Sequence, residues 1–250
     1  MPETVAPDWR GEAYDRISAP HAAMGAPALD RLELRGDERV LDAGCGSGRL
    51  TERLLERLPD GHVIALDGSG SMLAQAARRL ERFGDRISYV QADLADPPLP
   101  IDGHVDAILS TATFHWVLDH DALFTGLAGV LRGGGQLSVQ CGGEGNGEAM
   151  FEAASAEGVE TRGALHFAGV EETLRRLERT GFGEGRAWLT AETIPFDTRE
   201  AMLDYIITPF LRPATGLPEG ELARLAGAIA DRLGRLAIDY VRLNIVARRA

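Results

Sequence analysis

The residues best suited to chemistry lie in a glycine-rich turn. Residues 40–48, VLDAGCGSG, follow an apolar run and open a stretch of helical periodicity. Glycines let a backbone turn sharply and let a ligand approach it closely. The spacing is G-x-G-x-G rather than the G-x-G-x-x-G of dinucleotide-binding turns, and no G-x-x-x-x-G-K-[ST] occurs, which excludes a P-loop. The turn therefore predicts a ligand that does not place a phosphate group against it.

Two further carboxylates follow the next predicted strands. Asp67 ends the apolar run 62–67, and Asp93 comes just after the run 86–91. With Asp42 they form a series at the carboxyl ends of successive strands, where open α/β sheets bind ligands. A carboxylate at Asp67 is suited to accept hydrogen bonds from ribose hydroxyls, and one at Asp93 from an adenine amino group. A single aspartate is more often a turn residue, but the series predicts a nucleoside site.

The elements that must position these residues alternate between strand and helix. Period-2 and 3.6-residue patterns predict strands at 39–43, 62–67, 86–91, 105–110 and 136–141, and helices at 47–58, 71–83 and 121–131. This alternation predicts a doubly wound α/β fold with a parallel sheet and right-handed crossovers. Later segments predict helices at 148–158, 170–180, 198–210 and 218–233, and strands at 186–196 and 238–247.

Two helical regions flank this sheet pattern. The segment 8–34 predicts an N-terminal helical cap broken at Pro20 and Pro27. The segment 198–233 has prolines at its bends and predicts a helical insert that covers the site as a lid. A length of 250 residues suits one domain, 1–250, that includes both.

Composition narrows the class of partner. The formal net charge is −12, and such an acidic surface disfavours nucleic acid. Cys45 and Cys141 are far apart, and no spacing of cysteines or histidines suggests a metal site. No apolar run is long enough for a membrane span and no targeting segment is evident, so we expect a cytoplasmic protein.

With these motifs, residues 36–141 resemble the class I S-adenosylmethionine-dependent methyltransferases. The resemblance implies a seven-stranded, Rossmann-like, mostly parallel sheet. Its last two strands, 186–196 and 238–247, would form a hairpin whose final strand is antiparallel. It also implies S-adenosylmethionine (SAM) as cofactor and a small-molecule methyl acceptor.

The resemblance further assigns cofactor contacts. Asp42, Gly44 and Gly46 would line the methionine part, and Asp67 would bind the ribose. Met72 would pack on the adenine, whose edge would meet Asp93 and Leu94. The remaining contacts that it implies are Tyr14, Cys45, Gly68, Ser110 and Thr111.

The segment 109–120, LSTATFHWVLDH, carries a narrower resemblance. It is similar to the N-A-x-x-[QH]-W stretch of the trans-aconitate methyltransferase type, with Thr111 where that type usually has asparagine. Trp9 and Tyr14 also resemble that group, whose first helix closes over SAM. The segment follows the fourth strand, where the family places the residues nearest the transferred methyl group.

The acceptor determines which side chains the reaction needs. A carboxylate is already a nucleophile and needs only a clamp, for which Arg212 in the lid is the candidate. A phenol, hydroxyl or amine benefits from a general base, for which His115 is the candidate. Trp116 is expected to shape the acceptor pocket. Two other hypotheses remain at this point: a nicotinamide-dependent oxidoreductase on a similar fold, and a non-catalytic SAM-binding protein.

Overall fold

The computed structural model describes residues 19–160 and 162–250. Within them, seven strands form one sheet in the order β3-β2-β1-β4-β5-β7-β6. The strands β1 to β5 are parallel, and β7 lies antiparallel between β5 and β6. The strands are β1 Arg39–Ala43, β2 His62–Asp67, β3 Ile87–Gln91, β4 Val105–Thr111, β5 Leu131–Gly142, β6 Phe182–Pro195 and β7 Ala237–Arg249. This topology confirms the predicted doubly wound sheet with an antiparallel final strand.

Helices connect the strands and cover the sheet. The α-helices are α1 Ala19–Asp30, α2 Arg49–Glu56, α3 Gly70–Leu80, α4 His120–Val130, α5 Glu148–Ala156, α6 Val170–Arg179, α7 Arg199–Ile206, α8 Arg212–Thr215 and α9 Glu219–Leu233. Short 3₁₀ turns lie at Glu81–Arg86, Phe114–Trp116 and Arg162–Ala164, and a π-helical turn at Ile207–Leu211. In the described part of the chain, none of these helices is both long and apolar enough to cross a bilayer.

The central parallel strands β1, β2 and β4 are mostly buried because helices cover both faces of the sheet. On one face α1, α2 and α3 bury Leu29, Leu54 and Leu80 against the sheet. On the other face α4 buries Leu123 and Leu127. Successive residues of β1 and β2 therefore contribute to opposite clusters, and the sheet that carries the site is rigidly packed.

The segment between β6 and β7 packs with α5 as a separate apolar cluster. Phe151 of α5 and Phe210 of the π-helical turn meet edge to face, with ring centroids 4.9 Å apart. Leu222, Leu225 and other apolar residues of α9 complete this cluster. The cluster fixes the segment next to the carboxyl end of the sheet.

The predicted break at Pro27 is wrong, because α1 runs from Ala19 to Asp30 with Pro27 inside it. The break predicted at Pro20 stays a prediction, because Pro20 lies at the start of α1 and the residues before Ala19 are outside the described part of the chain. A proline inside a helix is unfavourable by about 3 kcal/mol because it removes a hydrogen bond and clashes with the preceding turn. Ala28 and Leu29 lie on the buried face of α1, and the Ser138 hydroxyl of β5 donates to the Ala28 carbonyl oxygen over 2.6 Å. These tertiary contacts hold the helix together across the proline.

The helix predicted at 198–210 is also divided in the structure. It ends as α7 at Ile206 and continues through the π-helical turn into α8. Pro209 lies within that turn and has no N–H to donate, so the hydrogen-bond register shifts there. The shift places Pro209 and Phe210 beside the cavity described below.

The turn after β1 is held in place from two sides. The N–H groups of Gly44 and Cys45 both donate to the Leu66 carbonyl oxygen, over 2.8 and 2.9 Å. Gly44 has φ +81°, and a Cβ built on it would lie 2.2 Å from Oγ1 of Thr113. Gly46 has φ +55°, but a Cβ there would meet no atom within 4 Å. The turn is therefore closely packed on its sheet side and open on its outer side.

Gly44→Ala and Gly46→Ala form a matched test of this turn. Both substitutions place a side chain at positive φ, which is unfavourable by about 1–2 kcal/mol. Only Gly44→Ala adds an overlap with Thr113, which destabilises by about a further 1–3 kcal/mol. We expect thermal unfolding to show a clearly lower melting temperature for Gly44→Ala. Equal melting temperatures would show that the turn does not depend on its contact with Thr113.

Candidate functional site

Asp67 joins the turns that follow β1 and β2. Its Oδ2 accepts the N–H of Gly46 over 2.9 Å, and its Oδ1 accepts the N–H of Ser69 over 2.9 Å. Burial raises the pKa of Asp67, and these two hydrogen bonds oppose the increase. Each oxygen keeps a lone pair, so the carboxylate is oriented to accept two more hydrogen bonds from a ligand.

Asp42 lies within β1, one residue before the carboxyl end of the strand. It is almost fully buried, and its Oδ2 accepts the Thr51 hydroxyl proton over 2.7 Å. Burial raises the pKa of Asp42 to about 7; the Thr51 hydrogen bond lowers it and the nearby charge of Asp67 raises it. Two neighbouring buried carboxyl groups give this half of the site an environment that suits a cationic ligand.

The positions expected around an adenine lie along the next strand ends. Met72 is buried in the first turn of α3, and its N–H donates to the Ser69 hydroxyl over 3.3 Å. The carbonyl oxygen of Gly68, which follows β2, accepts a hydrogen bond from the Gln91 side-chain amide over 3.2 Å. Asp93 is exposed and accepts the Ala95 N–H over 2.8 Å, whereas Leu94 is buried in the core.

Cys45 and Ser110 face the protein interior. The Ser110 hydroxyl is fully buried and donates to the Ala43 carbonyl oxygen over 2.6 Å. Burial raises the pKa of the Cys45 thiol well above its usual range. These side chains therefore hold β1 against β4 and fill the turn, and a ligand would meet only their backbone. Tyr14 and Trp9 lie outside the described residues.

Thr111 and Ala112 lead from this half into a second region. Thr111 is the last residue of β4, and Ala112 has φ +54°, which is uncommon for a residue with a side chain. The Ala112 N–H donates to the Gln140 carbonyl oxygen over 2.8 Å. The chain therefore bends sharply where β4 ends, and this bend aims the next residues into a cavity. Backbone conformations of this kind cluster at functional sites.

That cavity is small, with a volume of about 50 Å³, and it is partly open to solvent. Its walls come from the turn after β4, from α5, from the π-helical turn and from β7. They consist of Ala112, His115, Trp116, Asn146, Met150, Phe151, Leu165, Phe167, Pro209, Phe210, Tyr240 and Arg242.

His115 and Trp116 both line this cavity, as the sequence predicts for residues near an acceptor. The His115 ring stacks on Phe167, with centroids 5.9 Å apart and an interplanar angle of 19°. Its Nδ1 accepts the Gly142 N–H over 3.3 Å. A neutral ring that accepts at Nδ1 carries its proton on Nε2, so His115 presents a donor rather than a basic lone pair.

The structure does not bring Arg212 to the cavity wall. Its guanidinium pairs with Glu219 through two nitrogens, and this hydrogen bonding raises the pKa of Arg212. Glu219 therefore already binds the guanidinium that was expected to hold an acceptor carboxylate. The arginine that lines the cavity is Arg242 of β7, which is 2% exposed.

Several residues of the site carry no clear motif. The Thr51 hydroxyl donates to Asp42, and the Thr113 hydroxyl is shared between the carbonyl oxygens of Gly44 and Thr111. Asn146 accepts the Val241 N–H over 3.2 Å and so joins the Gly-rich loop after β5 to β7. Arg242 alone had a signal, because a charged residue within an apolar strand is unusual.

The raised pKa of Asp42 predicts how stability depends on pH. Without ligand, folded Asp42 keeps its proton up to about pH 7, whereas in the unfolded chain it loses it near its ordinary pKa of about 3.9. The folded state therefore binds more protons between these values, and its stability falls as the pH rises through this window. The slope contributed is at most about 1.4 kcal/mol per pH unit.

Comparing the ligand-free protein with Asp42→Asn isolates this effect from the other carboxyl groups. We expect the melting temperature of the variant, relative to the unsubstituted protein, to increase as the pH is raised from about 5 to about 7. A constant difference would show that Asp42 is ionised throughout the range.

Known proteins match this chain over nearly its whole length. Residues 40–135 match the family model described as a methyltransferase domain. Trans-aconitate 2-methyltransferase of Methylobacterium nodulans is 30% identical over 267 residues, covering 97% of this chain and 98% of that protein. The enzyme of the same name from Klebsiella pneumoniae is 30% identical over 257 residues, with 97% and 98% covered.

Solved structures share the fold at lower identity. The YcgJ protein from Bacillus subtilis has a TM-score of 0.66 and 16% identity, covering 92% of this chain and 99% of that one. Phosphoethanolamine N-methyltransferase 2 of Haemonchus contortus, solved with SAM, has a TM-score of 0.63 and 19% identity, covering 99% and 59%. With the full-length relatives, these likenesses show that the chain belongs to the class I SAM-dependent methyltransferase family.

Proposed function

We propose that the protein methylates a carboxylate of a small acceptor, with SAM as the methyl donor. The observation that carries the carboxylate is the state of His115. Its Nδ1 is occupied by the Gly142 N–H, so the ring has no lone pair with which to take a proton from the acceptor. A carboxylate is already ionised at neutral pH and needs no base. The trans-aconitate 2-methyltransferase relatives support the same class of acceptor.

The residues at the first two strand ends fit SAM. The open space outside Gly46 admits a ligand against the backbone, and the free lone pairs of Asp67 suit ribose hydroxyls. The buried carboxyl of Asp42 lies where a cationic methionine part is favoured. When bound there, SAM supplies an electrophilic methyl group on a sulfonium. Met72 and the backbone at Asp93 and Leu94 are proposed to hold the adenine.

His115 is proposed to position the acceptor. Its Nε2–H donates a hydrogen bond to a carboxylate oxygen, while stacking on Phe167 keeps the ring in one orientation. Trp116 closes the neighbouring wall and excludes water. Holding two reactants in line can lower a barrier by about 7–11 kcal/mol, so positioning alone accounts for a large rate enhancement.

We propose that residues 198–233 act as a lid within a single domain, 1–250. Pro209 and Phe210 form part of the cavity wall, and α9 packs on α5 through the apolar cluster that also contains Phe151. The described part of the N-terminal cap, α1, covers the face of β4 and β5. A small acceptor in the cytoplasm fits both the partly open cavity and the net charge of −12, which disfavours nucleic acid.

Because the chain belongs to the methyltransferase family, the hypothesis of a nicotinamide-dependent oxidoreductase is dropped. The hypothesis of a non-catalytic SAM-binding protein is not favoured by any feature of the described residues. A cavity that opens beside the turn after β4 has an evident use as an acceptor site.

Asp67→Ala tests the cofactor site. Losing hydrogen bonds to a charged group should weaken SAM binding more than tenfold, by about 1.5–3 kcal/mol, as measured by calorimetry. Asp60→Ala, at an exposed aspartate in the turn before β2, is the matched control and should bind as the unsubstituted protein does. Unchanged affinity in Asp67→Ala would remove this residue from the site.

His115→Ala tests the proposed donor. We expect turnover with a carboxylate acceptor such as trans-aconitate to fall about tenfold or more, since one hydrogen bond to a charged group is lost. Affinity for S-adenosylhomocysteine should stay the same, and His104→Ala, at an exposed histidine, should be fully active. If activity of the unsubstituted protein rises with pH and this rise is lost in His115→Ala, the ring is a base instead.

A further inference from the structure

The acceptor turn, residues 114–118, carries two residues of the cavity wall but has few hydrogen bonds of its own. The Trp116 N–H donates to the Thr113 carbonyl oxygen over 2.8 Å. The Val117 N–H donates to the Phe114 carbonyl oxygen over 2.9 Å. Hydrogen bonds of this 3₁₀ type have poor geometry and form only short runs. Contacts from other parts of the chain must therefore fix the direction of this turn.

Two histidines bind the backbone on either side of His115. Nε2 of His120, the first residue of α4, lies 2.9 Å from the Phe114 carbonyl oxygen. Nδ1 of His166, which precedes α6, lies 3.1 Å from the Leu118 carbonyl oxygen. The His166 N–H also donates to the His115 carbonyl oxygen, over 2.9 Å. A carbonyl oxygen only accepts, so each of these two ring nitrogens carries a proton and donates it.

The rings of His120 and His166 stack on each other. Their centroids are 4.2 Å apart and their planes differ by 15°. His120 is 3% exposed, and its ring also meets Phe114 and Phe124 edge to face, with centroids 6.4 and 6.2 Å away. In a closely packed interior one ring of such a pair does not move without the other. The two histidines therefore hold the acceptor turn as one unit.

The charges around the pair suit this role. Burial lowers the pKa of His120 to about 4, and the charges of His166 and Arg176 add to the decrease. The hydrogen bond to Phe114 and the charge of Glu172 oppose it. His120 is therefore neutral near pH 7 and donates from Nε2. Nε2 of His166 lies 3.3 Å from Oε1 of Glu172, so with both nitrogens protonated this ring joins the turn to α6.

The two histidines act on the cavity only through other residues. Phe167 directly follows His166, and its ring stacks on that of His115. Among the described residues that line the cavity, neither His120 nor His166 is found. Any effect of the pair on methyl transfer must therefore pass through the residues of the acceptor turn.

We infer that His120 and His166 are positioning residues for methyl transfer. Their stacked rings fix the backbone of the acceptor turn, and this backbone holds His115 and Trp116 beside the acceptor. A displacement of about 1 Å at a reacting group lowers a rate on the order of a hundredfold, so rigid support of this turn matters for turnover. The inference rests on the proposed function, because it needs His115 at the acceptor.

Amide side chains separate the hydrogen bonds from the packing of the rings. His120→Gln and His166→Asn each keep an N–H donor near the original ring nitrogen, whereas His120→Phe and His166→Phe keep only a ring. We expect each phenylalanine variant to lower kcat with SAM and trans-aconitate at least about tenfold. The amide variants should keep most of the activity. Affinity for S-adenosylhomocysteine, measured by calorimetry, should not change in any of them. His104→Phe, at an exposed histidine, is the matched control and should be fully active.

The His115 ring provides a second measurement that needs no acceptor. Its Nδ1 accepts the Gly142 N–H, so its proton lies on Nε2, and nitrogen NMR of the imidazole distinguishes this tautomer. We expect the phenylalanine variants to show a mixture of tautomers at His115, and the amide variants to keep the single one. If His120→Phe does not fold, His166→Phe decides.

Two results would overturn the inference. One is an unchanged His115 tautomer with full kcat in the phenylalanine variants. The other is equal impairment of the amide and phenylalanine variants, which would show that the hydrogen bonds do not matter. A changed tautomer with unchanged kcat would keep the support of the turn and contradict the proposed role of His115. If the unsubstituted protein does not methylate trans-aconitate, that result counts against the proposed function, and the tautomer alone decides whether the pair positions the turn.

Discussion

The carboxylate of Asp67 is the interaction on which the cofactor half of the site depends. It ends β2, yet it bonds to the backbone of Gly46 after β1 and of Ser69 before α3. The turn after β1 is fixed in turn by the Leu66 carbonyl oxygen and by Thr113. One part-buried carboxylate thus sets the spacing of two turns, and the same atoms face the space where SAM is proposed to bind. Structure and binding cannot be separated at this position.

The parallel half of the fold could be predicted because its signals are local. Each apolar run with a following helix pattern marks one strand-helix unit, and the right-handed crossover rule leaves few ways to arrange them. The prediction was wrong at Pro27, where burial of Ala28 and Leu29 outweighs the local preference. The antiparallel hairpin of β6 and β7 came from the family resemblance, and its order in the sheet, with β7 next to β5, was not predicted because no local pattern specifies which strands pair.

The cofactor half of the site and the acceptor cavity also differ in how far local sequence could predict them. The glycines and aspartates of the cofactor half follow their strands directly, so sequence reasoning found them. The acceptor cavity combines segments more than a hundred residues apart, His115 and Arg242 among them. Arg212 had a plausible place in the lid, but its ion pair with Glu219 depends on the bend at α8. Arg242 stands out in the sequence as a charged residue within an apolar strand, but its place in the cavity wall depends on the position of β7.

The antiparallel strand β7 also determines when the sheet can finish folding during synthesis. Leu137 and Val139 of β5 pair with residues of β7 that are more than a hundred positions later in the chain. Until those residues leave the ribosome, β5 presents an unpaired apolar edge, and such edges promote aggregation. The strand pairs of the parallel half join residues that are closer in sequence than those of β5 and β7, so this half is able to form earlier. The nascent chain therefore passes through a state with a formed cofactor half and an open sheet edge, the state most in need of chaperone protection.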